Sequence, residues 1–363
     1  MRSGFDAATI DLASPEVALD PFPYYERLRA AGSVHFLARH SFWIVLGYAE
    51  VESAFGQPNA LSNSPYTEVD GVLLGEDPPR HAEVRRLLSR EFSAATLQRL
   101  GEKAEGMAAK LLRDRLDVVS DYAAPLSRAV ASEFLGFDDD AVVAILTAYG
   151  ASLRTASPLT EFIVTLDRIA DRSAIYSRLM NDGDRVVSDA EVRSLVRLLW
   201  LAATMTTERT ITRAVLRLLQ HDDVRRAVSA DLALLPALAE EVLRLHPPEH
   251  TVPRMTTQPL QLGGVTLPAG ALVQLCVSAA NRDPARFEDP AALRLDRPAA
   301  RHFTFGSGVH RCIGAPLARN VVGIALKTLL QHMPAFRAEQ PLESIQYFAT
   351  PAALTPLHLV IRK

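Results

Sequence analysis

The sequence predicts a mainly α-helical protein with a smaller β region that is assembled from distant segments. Apolar residues recur at three- and four-residue intervals over most of the chain from His81 onward, which is the periodicity of helices that bury one face. Short β-branched and aromatic runs occur near the start and again after residue 250. Because no internal repeat, low-complexity tract or flexible linker divides the chain, we expect residues 1–363 to form a single domain.

Composition excludes several classes of protein. A hydrophobic content of 48% with 22% charged residues is typical of a globular protein with a large core. The net charge of -3 argues against nucleic acid as a partner. Two cysteines are too few for a disulfide framework, and no apolar run approaches the roughly 20 residues that span a bilayer. We therefore expect a monomer in the cytoplasm that makes no contact with membranes.

The first part of the chain predicts a helix, a hairpin and a second helix. The segment "PYYERLRAAG" has helical spacing and ends at Gly32. Segments 33–37 and 42–47 are strand-like and close enough to pair, and a short helix over 48–56 follows. Residues 57–79 are rich in turn formers, and a loop of that length in a globular domain is usually functional.

Helices dominate the remainder. The stretch from 191 to 220 contains no glycine or proline and is apolar on nearly every face at its centre, so we expect a long helix through the middle of the protein. Strand-like pieces follow residue 260, and the C-terminal "PLHLVIRK" is also strand-like. Further helices are predicted within 80–93, 94–116, 234–246 and 317–333.

Cys312 lies in "FGSGVHRCIG", between glycines and immediately before a predicted helix. It is either a small buried hydrophobe, as most free cysteines are, or a thiolate ligand of a metal. The other cysteine is distant and the histidines lack zinc-finger spacing, which argues against a tetrahedral zinc site. A single thiolate can hold haem iron. Cys276 stands in an apolar run and is interpreted as core packing.

The residues around Cys312 suit a haem ligand. Gly306, Gly308 and Gly314 would let the backbone approach a flat macrocycle and the sulfur. A helix that opens directly after Cys312, with Pro316 in its first turn, would aim free N–H groups and the positive end of its dipole at the thiolate. Such donors favour the deprotonated sulfur.

This segment resembles the haem-binding signature of the cytochromes P-450, Phe-Gly-x-Gly-x-His-x-Cys-x-Gly, at all six specified positions. The resemblance extends over nearly the whole chain and is to the soluble bacterial type. It implies the cytochrome P-450 fold, haem b as cofactor and Cys312 as the iron ligand. It also implies cofactor contacts from Phe305, Gly306, His310 and Gly314.

The same resemblance assigns the haem propionates to basic side chains. His81 and Arg85, spaced by four residues, share one face of a predicted helix. Arg254 and His310 match the family's other propionate contacts. The alternative for the helical pair is a solvated basic face.

Glu241 and Arg244 form the family's Glu-x-x-Arg pair, and Arg297 matches the arginine that completes a triad with them. The alternative is a surface ion pair worth at most about 1 kcal/mol. Because several motifs agree, we favour a structural brace for the loop that carries the haem ligand.

The central helix departs from the family pattern. Its usual text is Ala-Gly-x-(Asp/Glu)-Thr-Thr, and here residues 202–207 are "AATMTT". Thr206 keeps the threonine, but Met205 replaces the acid. Glu208 points about 300° further round the helix than Met205 and does not replace the missing carboxylate. Thr206 and Thr204 are the candidate catalytic residues, through a chain of water molecules. The alternative source of protons is a carboxyl or hydroxyl group of the substrate.

The region between residues 138 and 190 is short compared with most bacterial members, which predicts a reduced lid over a more open pocket. The predicted pocket wall combines "SPYTEVDGVLL", "EHTV" and "YFATP" with residues of the central helix. For each wall residue core packing is an equally good interpretation. The selected wall residues are Trp200, Ala203, Met205, Thr251, Val252 and Phe348.

The leading hypothesis is a haem-thiolate monooxygenase that oxidises a small organic natural product, free or tethered to a carrier protein. Dioxygen and electrons from NAD(P)H, delivered through a ferredoxin reductase and a ferredoxin, would drive the reaction. Two alternatives stay open: a non-catalytic haem sensor or recruitment module, and an oxidative cyclisation, coupling or dehydration that needs no acid–threonine relay. An acidic partner would meet the basic residues Arg86, Arg90, Arg311 and Arg319.

Overall fold

A computed structural model describes residues 10–67, 71–152, 160–298, 301–350 and 354–363. In these ranges the chain is mainly helical, which confirms the predicted class. The α-helices are α1 (Pro15–Leu19), α2 (Phe22–Ala31), α3 (Tyr48–Phe55), α4 (Arg80–Ser89), α5 (Ala94–Leu111), α6 (Ala124–Leu135), α7 (Asp139–Ser152), α8 (Thr160–Ile169), α9 (Ala174–Met180), α10 (Asp189–Gln220), α11 (Asp222–Ala230), α12 (Leu235–Leu245), α13 (Val277–Ala280) and α14 (Ala315–His332).

The strands form small sheets, several of which join distant segments. The largest sheet has the order β1-β2-β8-β5-β3, in which β2 and β8 are parallel and the other neighbours antiparallel. A second sheet has the order β4-β12-β9, and β6–β7 and β10–β11 are hairpins. The strands are β1 (Val34–Leu37), β2 (Phe42–Val45), β3 (Leu61–Ser62), β4 (Arg115–Asp117), β5 (Val252–Thr256), β6 (Leu260–Leu262), β7 (Val265–Leu267), β8 (Leu272–Leu275), β9 (Arg337–Ala338), β10 (Tyr347–Ala349), β11 (Leu354–Pro356) and β12 (Val360–Arg362).

The predicted long central helix is α10, which spans 32 residues. Its N-terminus is fixed by a capping box, in which the Ser188 hydroxyl accepts from the Glu191 N–H and the Glu191 carboxylate accepts from the Ser188 N–H. The helix packs against α6, α8, α12 and α14. Leu195, Ile211 and Leu218 are fully buried, so the apolar centre of this helix is the middle of the core, as predicted.

Two further helices position the loop that carries Cys312. The helix α12 ends at Leu245, and only His246 separates it from the two prolines that the sequence indicated as its stop. The helix α14 begins at Ala315, with Pro316 in its first turn. Because α14 packs against both α10 and α12, the Cys312 loop faces the middle of α10.

The segment between residues 57 and 79, predicted to be a loop, also contributes the short edge strand β3 and a 3₁₀ turn over Ser64–Tyr66. The region from 138 to 190, predicted to be a reduced lid, contains α7, α8 and α9, and α7 packs against α8. No helix in the described ranges is both long and apolar enough to cross a membrane.

Candidate functional site

The loop before α14 is folded tightly around Cys312. Gly306 and Gly308 have φ angles of +62° and +66°, a conformation that side chains disfavour. A Cβ atom on Gly308 would lie 2.4 Å from the carbonyl oxygen of Phe55. The Cys312 N–H donates to the Phe305 carbonyl at 2.8 Å and closes the loop. Backbone conformation therefore favours glycine at both positions, and close approach also requires it at Gly308.

The Cys312 sulfur lies at the positive end of α14. Burial raises the pKa of the Cys312 thiol, while hydrogen bonds from the Gly314 and Ala315 N–H groups and the charges of Arg85 and Arg311 act in the opposite direction. The protein surrounds most of the Cys312 side chain, and the accessible part of that side chain borders a cavity. A positively charged group in that cavity would stabilise the thiolate further.

This cavity lies between α10 and the Cys312 loop, and its empty space, counted together with the part open to solvent, is about 1020 Å³. The wall of the cavity is mostly apolar. The small side chains of Ala202 and Ala203 leave space between α10 and the Cys312 loop. On α10 the lining residues follow three- and four-residue spacing, so one face of the helix borders the cavity: Leu199, Ala202, Ala203, Thr206, Thr207 and Thr210.

The two threonines selected from the sequence lie in different surroundings. Thr206 lines the cavity, and its hydroxyl donates to the Ala202 carbonyl at 2.6 Å. Thr204 is buried outside the lining and donates to the Trp200 carbonyl at 2.9 Å. Thr204 and Met205 lie about 130° from the middle of the cavity face, on either side. The prediction that Met205 forms part of the pocket wall is therefore corrected.

Other predicted wall residues also lie elsewhere. Trp200 is fully buried and packs against Phe162 of α8, with ring centroids 5.1 Å apart, so it belongs to the core. Thr251 and Val252 lie outside the cavity lining, because the chain turns into β5 at Val252. Phe348 is a strand residue of β10 whose side chain lies outside the described part.

Glu249 is an acidic wall residue that sequence reasoning did not select, although its segment was expected in the wall. It lines the cavity beside Pro248, at the point where the chain leaves α12. Arg209 of α10 donates to Glu249 Oε1 at 2.6 Å and to the Pro248 carbonyl at 3.3 Å. The sequence signal that could have indicated Glu249 is its position as an acidic residue directly after the two prolines that follow α12.

The four basic side chains that the resemblance assigns to the haem propionates lie close together at the Cys312 loop: His81, Arg85, Arg254 and His310. The rings of His81 and His310 lie 3.9 Å apart between centroids, and His81 Nδ1 and His310 Nε2 are buried without a hydrogen-bond partner. Burial, followed by the nearby His81, Arg254 and Arg85, lowers the pKa of His310 to about 3. Positive charge and unpartnered ring nitrogens at one place fit a ligand that carries carboxylates.

Glu241 and Arg244 form a buried bidentate pair on one turn of α12. Arg244 Nε donates to Glu241 Oε1 at 2.7 Å, and Arg244 Nη2 donates to Glu241 Oε2 at 2.9 Å. Arg297 Nε donates to Glu241 Oε1 at 3.0 Å, so the three predicted members of the triad do meet. The remaining Arg244 N–H groups bind the carbonyls of Asn281, Pro290 and Ala292.

Asn281 links this triad to the Cys312 loop, a role that sequence analysis did not assign to it. Its carbonyl accepts from Arg244 at 2.9 Å, and its Oδ1 accepts from the Phe303 N–H at 2.7 Å. Its Nδ2 donates to the Thr304 hydroxyl at 3.0 Å. The chain of contacts from α12 therefore reaches the residues that directly precede Phe305.

Together these residues fit haem b. A mainly apolar slot suits a flat macrocycle, the thiol at the head of α14 suits its iron, and the basic cluster with orphaned ring nitrogens suits two propionates. A Cβ atom added to Gly314 would lie 3.9 Å from Cys312 Sγ, at ordinary van der Waals distance, so Gly314 is next to the sulfur.

Comparison with known proteins agrees with this fit. The profile of the family described as Cytochrome P450 matches residues 165–346. The chain is 32% identical to the cytochrome P450 monooxygenase PikC of Streptomyces venezuelae, over 88% of this chain and 85% of that protein. This chain belongs to the cytochrome P450 family.

Solved structures show the same fold. CYP109Q5 from Chondromyces apiculatus superimposes with a TM-score of 0.88 at 24% identity, over 98% of each chain. P450BioI, solved in complex with an acyl carrier protein that bears hexadec-9Z-enoic acid, gives 0.85 at 26% identity, over 97% of this chain and 100% of that one. Membership confirms the predicted fold, the class of P450 monooxygenase and haem b as the cofactor.

Proposed function

We propose that this P450 oxidises a small, mainly apolar organic molecule in the cavity between α10 and the Cys312 loop. Cys312 would hold the haem iron, and haem with a thiolate ligand supplies the chemistry of dioxygen activation. The observation that carries the proposal is that Cys312 and Thr206 line one apolar cavity from opposite elements. The residues that would bind the propionates are His81, Arg85, Arg254 and His310.

The loop residues would shape the slot for the macrocycle. Phe305 and Gly314 line the cavity, and the left-handed Gly306 turns the chain between Phe305 and the cysteine. Phe134 and Leu243 add apolar wall, which would exclude water from the bound substrate. The substrate class that this wall favours has an apolar body.

Electrons would reach the site from NAD(P)H through a ferredoxin reductase and a ferredoxin. Of the four arginines expected to receive an acidic partner, Arg86 and Arg311 are exposed. Arg90 is already paired with two aspartates, and Arg319 with Glu240 at 2.6 Å. The basic surface that would steer a ferredoxin is therefore smaller than the sequence indicated, and Arg86 and Arg311 are its members.

The test is a ligand screen followed by turnover. Apolar small molecules are offered to the haem-loaded protein, free and as thioesters of an acyl carrier protein, because the neighbour P450BioI was solved with such a carrier. A shift of the haem absorption band identifies binders. With NAD(P)H, a ferredoxin system and dioxygen, a binder is expected to yield an oxidised product. Tight haem binding without a product from any binder would contradict the proposal.

A further inference from the structure

We propose that Glu249 is the carboxyl group through which protons enter the cavity, in place of an acid on α10. The inference rests on the proposed function, since it needs a substrate cavity in front of Cys312. It assigns a proton-carrying role to a residue that lies outside the family's usual acid–threonine pair.

The first observation is that α10 presents no carboxylate to the cavity. Met205 stands where the family has its acid, and it lies off the cavity face. Glu208, the next acidic residue, lies about 200° from Thr206 around the helix and faces Arg128 of α6, 3.8 Å away. A carboxyl group on α10 is therefore absent from the described lining.

The second observation is the position of Glu249. Among the described residues that line the cavity it is the one acidic side chain. It shares that wall with Thr206. The Thr206 hydroxyl donates to a carbonyl of α10, so it can accept a hydrogen bond from the cavity but cannot donate one without rotating. A carboxyl from the loop after α12 thus reaches the same space that a carboxyl on α10 would serve.

The third observation is how Glu249 is held. Arg209 lies one helical turn after Met205, and its Nη1 binds Glu249 Oε1 at 2.6 Å. No described residue forms a hydrogen bond with Oε2. The Glu249 side chain is 45% accessible and belongs to the cavity lining. One oxygen is therefore fixed on α10 while the other is free to bind water or ligand.

The electrostatics suit proton exchange. The charged and titratable groups that face Glu249 are Arg209 from α10 and Tyr66 from the segment before α4. Burial raises the pKa of Glu249, and Arg209 opposes that shift. In the transfer step the Oε2–H bond breaks, the proton passes to water in the cavity, and Arg209 balances the carboxylate until solvent water protonates it again. A general acid works best with a pKa near the working pH.

The first test is infrared spectroscopy of the haem-loaded protein across a pH titration. We expect a protonated-carboxyl band that is lost in Glu249→Gln and that shifts when 4-phenylimidazole fills the cavity. Glu208→Gln is the matched control, because burial also raises the pKa of Glu208 but that residue lies outside the cavity lining. A ligand-sensitive band that survives in Glu249→Gln would overturn the proposal. If Glu249→Gln does not fold, Glu249→Asp must move the midpoint of the band.

The second test is the share of NAD(P)H electrons recovered in product. Glu249→Gln is expected to lower this share at least tenfold. Equal coupling in Glu249→Gln and the parent would overturn the proposal. A parent that oxidises no NAD(P)H with any band-shifting ligand would instead contradict the proposed function, and the infrared result would still decide the position of the carboxyl.

Discussion

Glu241 and Arg244, three residues apart on α12, form a bidentate ion pair whose side chains are 6% and 2% exposed. Charge-assisted bonds of this kind are strong when every group is satisfied. Here the Glu241 carboxylate also accepts from Arg297 and from the Arg294 N–H, and Arg244 binds three carbonyls. The pair therefore connects α12 to the segment that leads to the Cys312 loop.

Breaking this pair is expected to impair folding. Glu241→Ala or Arg244→Ala leaves one buried charge uncompensated, which costs about 3–5 kcal/mol of unfolding free energy. Denaturant unfolding and the haem content of purified protein measure the effect. Arg115→Ala is the control, because its pair with Glu339 is largely exposed and should contribute less than about 1 kcal/mol. Full haem content and unchanged unfolding in Arg244→Ala would contradict the brace.

The basic cluster predicts a separate effect on haem retention. If these residues bind the propionates as proposed, Arg254→Ala or His81→Ala would remove a charge-assisted bond worth about 1.5–3 kcal/mol, so haem loss should accelerate at least tenfold. Transfer of haem to an excess of apomyoglobin measures the rate. Arg86→Ala, on the exposed side of α4, should leave it unchanged. Equal rates in Arg254→Ala and Arg86→Ala would show that the cluster does not hold the propionates.

Thr206 and Thr204 should differ in their effects on turnover. Thr206→Ala removes a hydroxyl from the cavity wall, and a lost hydrogen bond of about 1.5 kcal/mol lowers product per NAD(P)H about tenfold. Thr204→Ala, which changes a hydroxyl that bonds within α10 away from the cavity, should leave coupling unaltered. The opposite order of effects would contradict the placement of the cavity face.

Glu240 predicts a pH dependence of stability. Although burial raises its pKa, hydrogen bonds with His302 and Arg319 hold the pKa of Glu240 at about 2. This stabilisation is complete above the ordinary glutamate value of 4.5 and is lost as the pH falls towards 2. Because the Glu240 side chain is 42% exposed, we expect its hydrogen bonds to contribute about 1 kcal/mol to the free energy of unfolding.

The measurement for Glu240 is urea unfolding of the parent and Glu240→Gln at neutral and at acidic pH. The difference in unfolding free energy between the parent and Glu240→Gln should become smaller as the pH falls. Glu343→Gln, at an exposed glutamate, should show no such change. A gap that is independent of pH would contradict the role given to these bonds.

The parts of the site that could be predicted from the sequence are those formed by residues close together in the chain. The Cys312 loop depends on consecutive residues, and His81 with Arg85, or Glu241 with Arg244, share one helix face. Packing against α6 and α14 sets which face of α10 borders the cavity. The sequence does not show this packing, so the prediction that Met205 and Trp200 line the pocket was wrong. The ion pair of Glu249 joins residues 40 positions apart, a contact that no local pattern indicates.

The central claim is that Cys312 is the thiolate that holds the haem iron, and the absorption of the reduced carbon monoxide complex tests it most directly. The parent and Cys276→Ala should both absorb at the position diagnostic of thiolate-ligated haem, because Cys276 is fully buried in the core, away from the cavity. Cys312→Ala should lose that band while keeping the helical content of the parent. A band that survives in Cys312→Ala, or that disappears in Cys276→Ala alone, would contradict the account.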